Sequence, residues 1–550
     1  VSIRFDDARR ALDLSVGDLV AIGARDAHLV AGASKGTGRL RLGQWIHDEE
    51  RRQREEIDDR FASEVRVLRR LVVGDWTVTV GGRVDGLTEE EGVPVVEEVK
   101  SVGLAADALL GTGLADWPAY TRQLELYLWT LERPGRAPPV GRLILISVVD
   151  SARHVLGATL DAARADAEVR RALGDLIHDH ERRRAWLASR RRSPVAEPFP
   201  TRRPGQDALS DAVARCLELG RPLLVEAPTG LGKTAPLLTA ALRFARAHDR
   251  VVFWATHRTT QQRAPMDVVR RLREAGTPVR ATVLAARERA CLNDVVSCRP
   301  EACRFADRYH ERAREWHEAA RVAADPEALR RIAQESVLCP VELALDAAPE
   351  VDLIVGDVNF ALEPGVRVAR LFDPDVAGGV VLVVDEAHQL ADRARGWRSP
   401  RLRRATVDAA EAHLVRLFGV DARPWVDLCR DLKDAIDDAV HQVDGPVRDG
   451  VGVADLSRRV WRELADRALD GALDHARLDA ARPRGEDDGR DPWLDVGRSL
   501  SRLADGLDTD DDGATVSLVG FGADAFVGRL CLDPAPTLGP RLAELGGVVL

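Results

Sequence analysis

EAPTGLGKT, residues 226–234, is the stretch on which the reading of this chain turns. Gly232, Lys233 and Thr234 close a loop of the G-x-x-x-x-G-K-[ST] spacing, with Ala227 standing where the first glycine of the pattern belongs. PLLVE before it reads as a strand and APLLTAALRFA after it as a helix, the setting in which backbone N–H groups at a helix start meet phosphate oxygens. In such a loop Thr229, Gly230 and Gly232 wrap the phosphates of ATP, Lys233 pairs with the β and γ groups, and Thr234 ligates Mg²⁺.

Outward from the loop, VVLVVDEAH (380–388) supplies the matching half. A buried strand delivers Asp385 at its C-terminal end to the Mg²⁺, and Glu386 is placed to activate the attacking water. RVVFWAT and DLIVGDVNFAL lie between the two stretches as further strands separated by helical segments, so an α/β unit with a parallel sheet is predicted. The helix QDALSDAVARCLELG precedes the loop.

Together RPGQ (203–206), EAPTGLGKT, FWATHRTTQQ (253–262), GDVNFAL (356–362) and DEAH (385–388) resemble superfamily 2 helicases of the DEAH type, and more narrowly the XPD-like and DinG-like iron–sulfur helicases. The resemblance covers residues 199–550. It implies a RecA-like P-loop motor lobe at 206–285 and 340–395, a helical arch-like insertion at 396–515 and a return to the lobe at 516–550. It further implies that Gln206 contacts adenine, that His388 couples hydrolysis to movement on DNA, and that single-stranded or forked DNA is tracked 5′ to 3′ in DNA repair or processing. After DEAH neither the Ser/Thr-Ala-Thr motif nor the arginines of a second motor lobe is found. The expectation is therefore a truncated sequence or a split gene, with weak ATP turnover until a separate second lobe is supplied.

Four of the seven cysteines, Cys291, Cys298, Cys303 and Cys339, follow C-x6-C-x4-C-x35-C between the two ATP stretches. Four thiolates are the ligand set of a [4Fe–4S] cluster and equally of a closed zinc site. The helicase resemblance implies an iron–sulfur insertion at 286–339; the C-x4-C pair, wider than is common in that family, keeps zinc as the rival. Cys216, Cys429 and Cys531 read as small core residues.

The N-terminal block, residues 1–190, carries a second constellation. GRVDGL (82–87) is followed by VPVVEEVKS (93–101), and strand alternation puts Glu98 and Lys100 on one face and Glu97 on the other. Asp85 and Glu98 are read as holding Mg²⁺ or Mn²⁺, with Lys100 stabilising the nucleophile or the developing phosphate charge. Of the 79 lysines and arginines only Lys35, Lys100, Lys233 and Lys433 are lysine, so the retention of Lys100 is informative. Gln123 and Tyr127, at i and i+4 in QLELY, share a helix face. This arrangement resembles the PD-(D/E)xK nucleases of the RecB-like group, and the resemblance implies that Gln123 and Tyr127 steer DNA and that His47 adds a metal ligand. The competing reading is an ATP-gated DNA-binding or regulatory module with an inactive nuclease fold. An Arg/Pro-rich linker is expected at 191–205.

The totals bound the rest. With 45% hydrophobic and 31% charged residues and a formal charge of −10, the 550-residue chain reads as globular and is not basic throughout. No secretory signal pattern opens it and its longest apolar run, VVLVV, is too short for a bilayer, so a cytoplasmic protein without disulfides is expected.

Overall fold

The computed structural model describes residues 3–24, 50–102, 104–147, 150–228, 230–294, 296, 298, 303–323, 325–443, 445–468, 492–508, 513–522 and 525–550. His47 and Thr229 lie outside them. The chain divides into two units, Val1–Trp186 with Cys298–Arg314, and Leu187–Ser297 with Glu315–Leu550.

The first unit is built on a mixed sheet of β1 (Arg4–Asp6), β2 (Ala11–Ser15), β3 (Ala62–Val73), β4 (Trp76–Glu90), β5 (Val93–Val102), β6 (Val140–Ser147) and β7 (Arg153–Thr159). The order is β1-β2-β4-β5-β6-β7, with β3 also paired to β4. Strand β4 outruns each neighbour: its start runs parallel to β2 and its end antiparallel to β5, with Gly86 opposite Glu97. That change of partner opens the sheet beside Asp85. Trp76, Val78, Val80 and Val84 alternate inward from β4 and are almost wholly buried. Two helices cover this face. Pro118–Leu131 contributes Leu124 and Leu128, and Ala162–Arg192 contributes Ala165, Val169, Leu173 and Ile177, a stripe at four-residue spacing.

The second unit contains a five-stranded, all-parallel sheet. Its members are β8 (Val251–Thr256), β9 (Ala281–Val283), β10 (Leu353–Asp357), β11 (Val380–Val384) and, from the far end of the chain, β16 (Gly547–Val549), in the order β16-β11-β8-β10-β9. The central strands β8 and β11 are nearly continuous apolar runs because both faces are covered. The strand predicted for PLLVE is reduced to an isolated bridge between Leu223 and Val549, secured by Leu223 N–H to the Val548 carbonyl (3.0 Å) and Val225 N–H to the Leu550 carbonyl (2.8 Å). At the sheet edge it has a partner on one side only, and its register ends after those bonds.

Between β11 and β16 lies an insertion with its own core. Helices Arg404–Phe418, Arg423–His441 and Pro492–Asp508 pack through Trp425, Leu432 and Trp493. They lie with an antiparallel sheet of β12 (Arg401–Arg403), β13 (Val451–Val453), β14 (Thr515–Gly520) and β15 (Phe526–Cys531), ordered β12-β15-β14-β13. The return to the motor sheet expected at 516–550 therefore begins later. Residues 515–531 pair within the insertion, and β16 alone rejoins the parallel sheet.

The segment 191–205 also departs from expectation. The helix runs to Arg192, and the division between units falls inside it. Val195 is buried in the core of the second unit, and Arg190 and Arg246 converge on Asp352 among groups almost without solvent exposure. Paired buried charges anchor this stretch, which composition alone marked as a tether. Among the described residues no helix is long and apolar enough to cross a membrane.

Candidate nucleotide and metal sites

In the second unit Gly230 and Gly232 take φ of +87° and +76°, a backbone region costly for other residues, and turn the chain into the helix Thr234–Ala247. A Cβ at Gly232 would stand 3.1 Å from the Gln206 side-chain nitrogen. Gln206, itself buried at the start of its helix, donates to the carbonyls of Leu231 (2.8 Å) and Gly232 (3.2 Å), and its Oε1 accepts from Arg203 N–H. Its amide thus braces the loop, while the adenine contact implied by resemblance stays an expectation. Lys233 donates across the loop to the Ala227 carbonyl at 3.0 Å.

Asp385 follows β11 directly, its N–H held by the Ala255 carbonyl of β8. Burial and the neighbouring Glu386 push its carboxyl above the ordinary range, and the Lys233 ammonium pulls the other way. Residues about 150 positions apart therefore share one electrostatic site at the C-terminal ends of parallel strands, where ligands of such sheets bind. Glu386 sits in left-handed backbone (φ +55°) and faces His388 Nδ1 at 3.3 Å; His388 is exposed. A Mg²⁺-nucleotide bound at this loop would be held by Gly232, Lys233, Thr234 and Asp385, the groups expected from the sequence.

A neighbouring cluster has no signature in the sequence. Arg393, on the helix Leu390–Trp397 after DEAH, donates to the His257 carbonyl at the end of β8 (2.8 Å) and to Asn359 Oδ1 beyond β10 (3.4 Å), where Trp397 Nε1 also binds. His257 is buried with neither ring nitrogen partnered, and burial, reinforced by Arg393, depresses its pKa. FWATHRTTQQ contains His257, but nothing in its spacing announces the contact with Arg393.

In the first unit the β4–β5 pairing brings the predicted residues together. Asp85 Oδ2 accepts from Val99 N–H at 2.9 Å, and Glu98 accepts from Lys100. The second oxygen of Glu98 is buried and unpartnered. Burial pushes this carboxyl up to about 7, with Asp85 adding to the rise and Lys100 opposing it. Asp85 and Glu98 are thus neighbouring carboxylates with one buried oxygen left over, and among the described residues no third His, Cys, Asp or Glu joins them in a metal-holding group. Glu97 faces the other way, as alternation requires, and is gripped by Arg54 through two bonds of 2.9 and 2.6 Å.

Tyr127 lies against this site. Its hydroxyl donates to the Arg83 carbonyl (3.0 Å) and accepts a long bond from Gln123 (3.4 Å), and burial followed by the charge of Glu98 pushes it up to about 12. Gly82 makes room for it, since a Cβ there would come within 2.6 Å of the Tyr127 ring. The helix also presents Tyr120, whose ring lies 5.6 Å from the Lys100 ammonium.

The cysteines are divided: Cys298 and Cys303 belong to the first unit, Cys291 and Cys339 to the second. Among the described residues no group of three or more His, Cys, Asp or Glu side chains is arranged to hold a metal ion. Burial raises the pKa of Cys339.

Residues 255–407 match the DEAD_2 family model. A Regulator of telomere elongation helicase 1 homolog from Oryza sativa subsp. japonica is 24% identical over 240 residues, covering 33% of this chain and 23% of that protein. The homolog from Drosophila ananassae is 21% identical over 286 residues, covering 41% and 28%. This chain thus spans about a quarter of the length of these relatives. A solved structure named "XPD_Helicase" aligns with a TM-score of 0.40 at 16% identity, over 64% of this chain and 58% of that one.

Proposed function

We propose that the second unit is the first motor lobe of an ATP-dependent DNA helicase and that the first unit is a metal-dependent DNA nuclease. The observation that carries the motor reading is the nearness of the Lys233 ammonium to Asp385, where it opposes the rise of the carboxyl's pKa. The DEAD_2 match and the helicase relatives support it. Lys233 would leave the Ala227 carbonyl for the β and γ phosphates, Asp385 and Thr234 would hold Mg²⁺, and Glu386 would take the proton of the attacking water. His388 would carry the nucleotide state to the DNA path, with 5′ to 3′ tracking in repair or processing of DNA. A second motor lobe, separately encoded or further along the polypeptide, would supply the arginines that complete turnover.

The nuclease reading rests on Asp85 and the orphaned oxygen of Glu98. A divalent cation held there supplies a Lewis acid and a water of lowered pKa. Lys100 is positioned to meet negative charge developing on the phosphate, and Gln123 and Tyr127 line the approach. His47 would add a further ligand to that cation. Asp85→Ala is expected to abolish Mn²⁺-dependent cleavage of labelled DNA while leaving binding of a fluorescent ATP analogue intact; Lys233→Ala should do the reverse. Intact cleavage in the first variant would overturn the nuclease assignment, and intact nucleotide binding in the second the motor assignment. If the unaltered chain cuts no DNA with Mg²⁺ or Mn²⁺, the alternative of an ATP-gated DNA-binding module takes its place.

Cys291, Cys298, Cys303 and Cys339 would together hold a [4Fe–4S] cluster. Anaerobically purified protein should contain about four irons and four acid-labile sulfides per chain. Stoichiometric zinc without iron would replace the cluster by a structural zinc site.

A further inference from the structure

The helix Pro118–Leu131 carries more than Gln123 and Tyr127 on the face turned to the carboxylates. Tyr120 lies at i−3 from Gln123 and i−7 from Tyr127, and Trp117 lies one further step of three residues back at the helix start. The Trp117 and Tyr120 rings are stacked, with centroids 5.8 Å apart and planes 9° from parallel. Both are only partly buried. The indole N–H of Trp117 is tied to Thr112 Oγ1 at 3.1 Å, and the Thr112 carbonyl is bonded to His154, so the pair is held at a fixed tilt. The Lys100 ammonium, which also bonds Glu98, lies against the Tyr120 ring.

We infer that Trp117 and Tyr120 form a stacking platform for an unpaired base beside Lys100, which makes single-stranded DNA the substrate class of the first unit. The inference rests on the nuclease reading above and deepens it. A simple cover for the helix start would need only apolar bulk. Here a rigid aromatic pair keeps part of its surface open within reach of the lysine proposed to meet the phosphate. Every base has a π-face, so such a platform tolerates any sequence, but in a duplex that face is already taken by neighbouring bases. The selectivity is therefore for strandedness, and the platform sets where along the strand the phosphate meets Asp85 and Glu98.

The test uses the full chain with Ca²⁺ in place of Mg²⁺ and 5-iodouracil oligonucleotides as photocrosslinking probes, single-stranded and duplex, with labelled peptides mapped by mass spectrometry. The peptide containing Trp117 and Tyr120 should be labelled by the single strand and not by the duplex. Trp117→Leu, which keeps apolar packing, should lower that labelling roughly tenfold or more. Equal labelling by duplex, labelling only elsewhere, or no labelling at all would overturn the platform. Cleavage with Mn²⁺ is measured in parallel. A labelled platform in a protein that cuts nothing would sink the nuclease reading alone, and cutting without label at this peptide would sink the platform alone.

Discussion

The two candidate sites pair a lysine with acidic residues in opposite ways. In the first unit Asp85, Glu98 and Lys100 lie within sixteen consecutive residues, and one antiparallel pairing of β4 with β5 assembles them. In the second unit Lys233 and Asp385 stand on segments that do not pair directly; β16, from the last residues of the chain, lies between the Leu223 bridge and β11. The first site is a local device whose lysine already touches its carboxylate. The second is a property of the whole sheet, and its lysine rests on its own loop. Local assembly allows deep burial with a fixed register, whereas distant assembly leaves a loop that can reorganise around phosphate.

If the first site is local, its failure should be confined to its own unit. Glu97→Ala leaves the Arg54 guanidinium without its buried partner and should destabilise the first unit by about 3–5 kcal/mol. Differential scanning calorimetry should show one transition falling while nucleotide binding at the second site persists; loss of both together would erase the contrast. A smaller effect is expected from Glu98. Its folded pKa is raised from 4.5 to about 7, so the native state binds this proton more tightly than the unfolded chain. In chelator, stability of the first unit should fall as pH rises from about 4.5 to 7, by no more than about 1.4 kcal/mol per pH unit, and level off above. Glu98→Gln should flatten that slope in urea titrations at several pH values; an unchanged slope would assign it to other groups. The smallest effect is expected at the distributed site. Arg393→Ala removes the guanidinium's bonds to the His257 carbonyl and to Asn359 Oδ1 and should cost about 1.5–3 kcal/mol. Nucleotide affinity measured alongside should stay within a few-fold, because Arg393 touches strand ends and not the glycine loop.

How far each site could be read beforehand follows from the same difference. Glu98 and Lys100 share a face and Glu97 opposes them because a strand has period two, and Gln123 with Tyr127 follows from helical spacing; both periodicities are visible in a linear string. Tyr120 lies on the same stripe, but its position belongs to no spacing that marks it in the linear string. Arg54, His257 and Arg393 could not be assigned, since each meets its partner across elements far apart in the chain. β12 and β13, three residues each, are too short for alternation to register, so 396–515 reads as helical, while the assignment of 516–550 to the motor lobe comes from the family resemblance alone.

The chemistry offered by the chain was therefore already present in its linear order: a glycine loop ending in Lys233 and Thr234, an apolar strand ending in Asp385 and Glu386, and a Glu98–Lys100 face. Such groupings depend on backbone geometry over a few residues. Which groups are buried, which oxygen of Glu98 is left without a partner, and which strand separates the glycine loop from the acidic one were settled by packing. Desolvation and non-local pairing depend on what the rest of the polypeptide places around a residue, and no window of neighbouring letters contains that information.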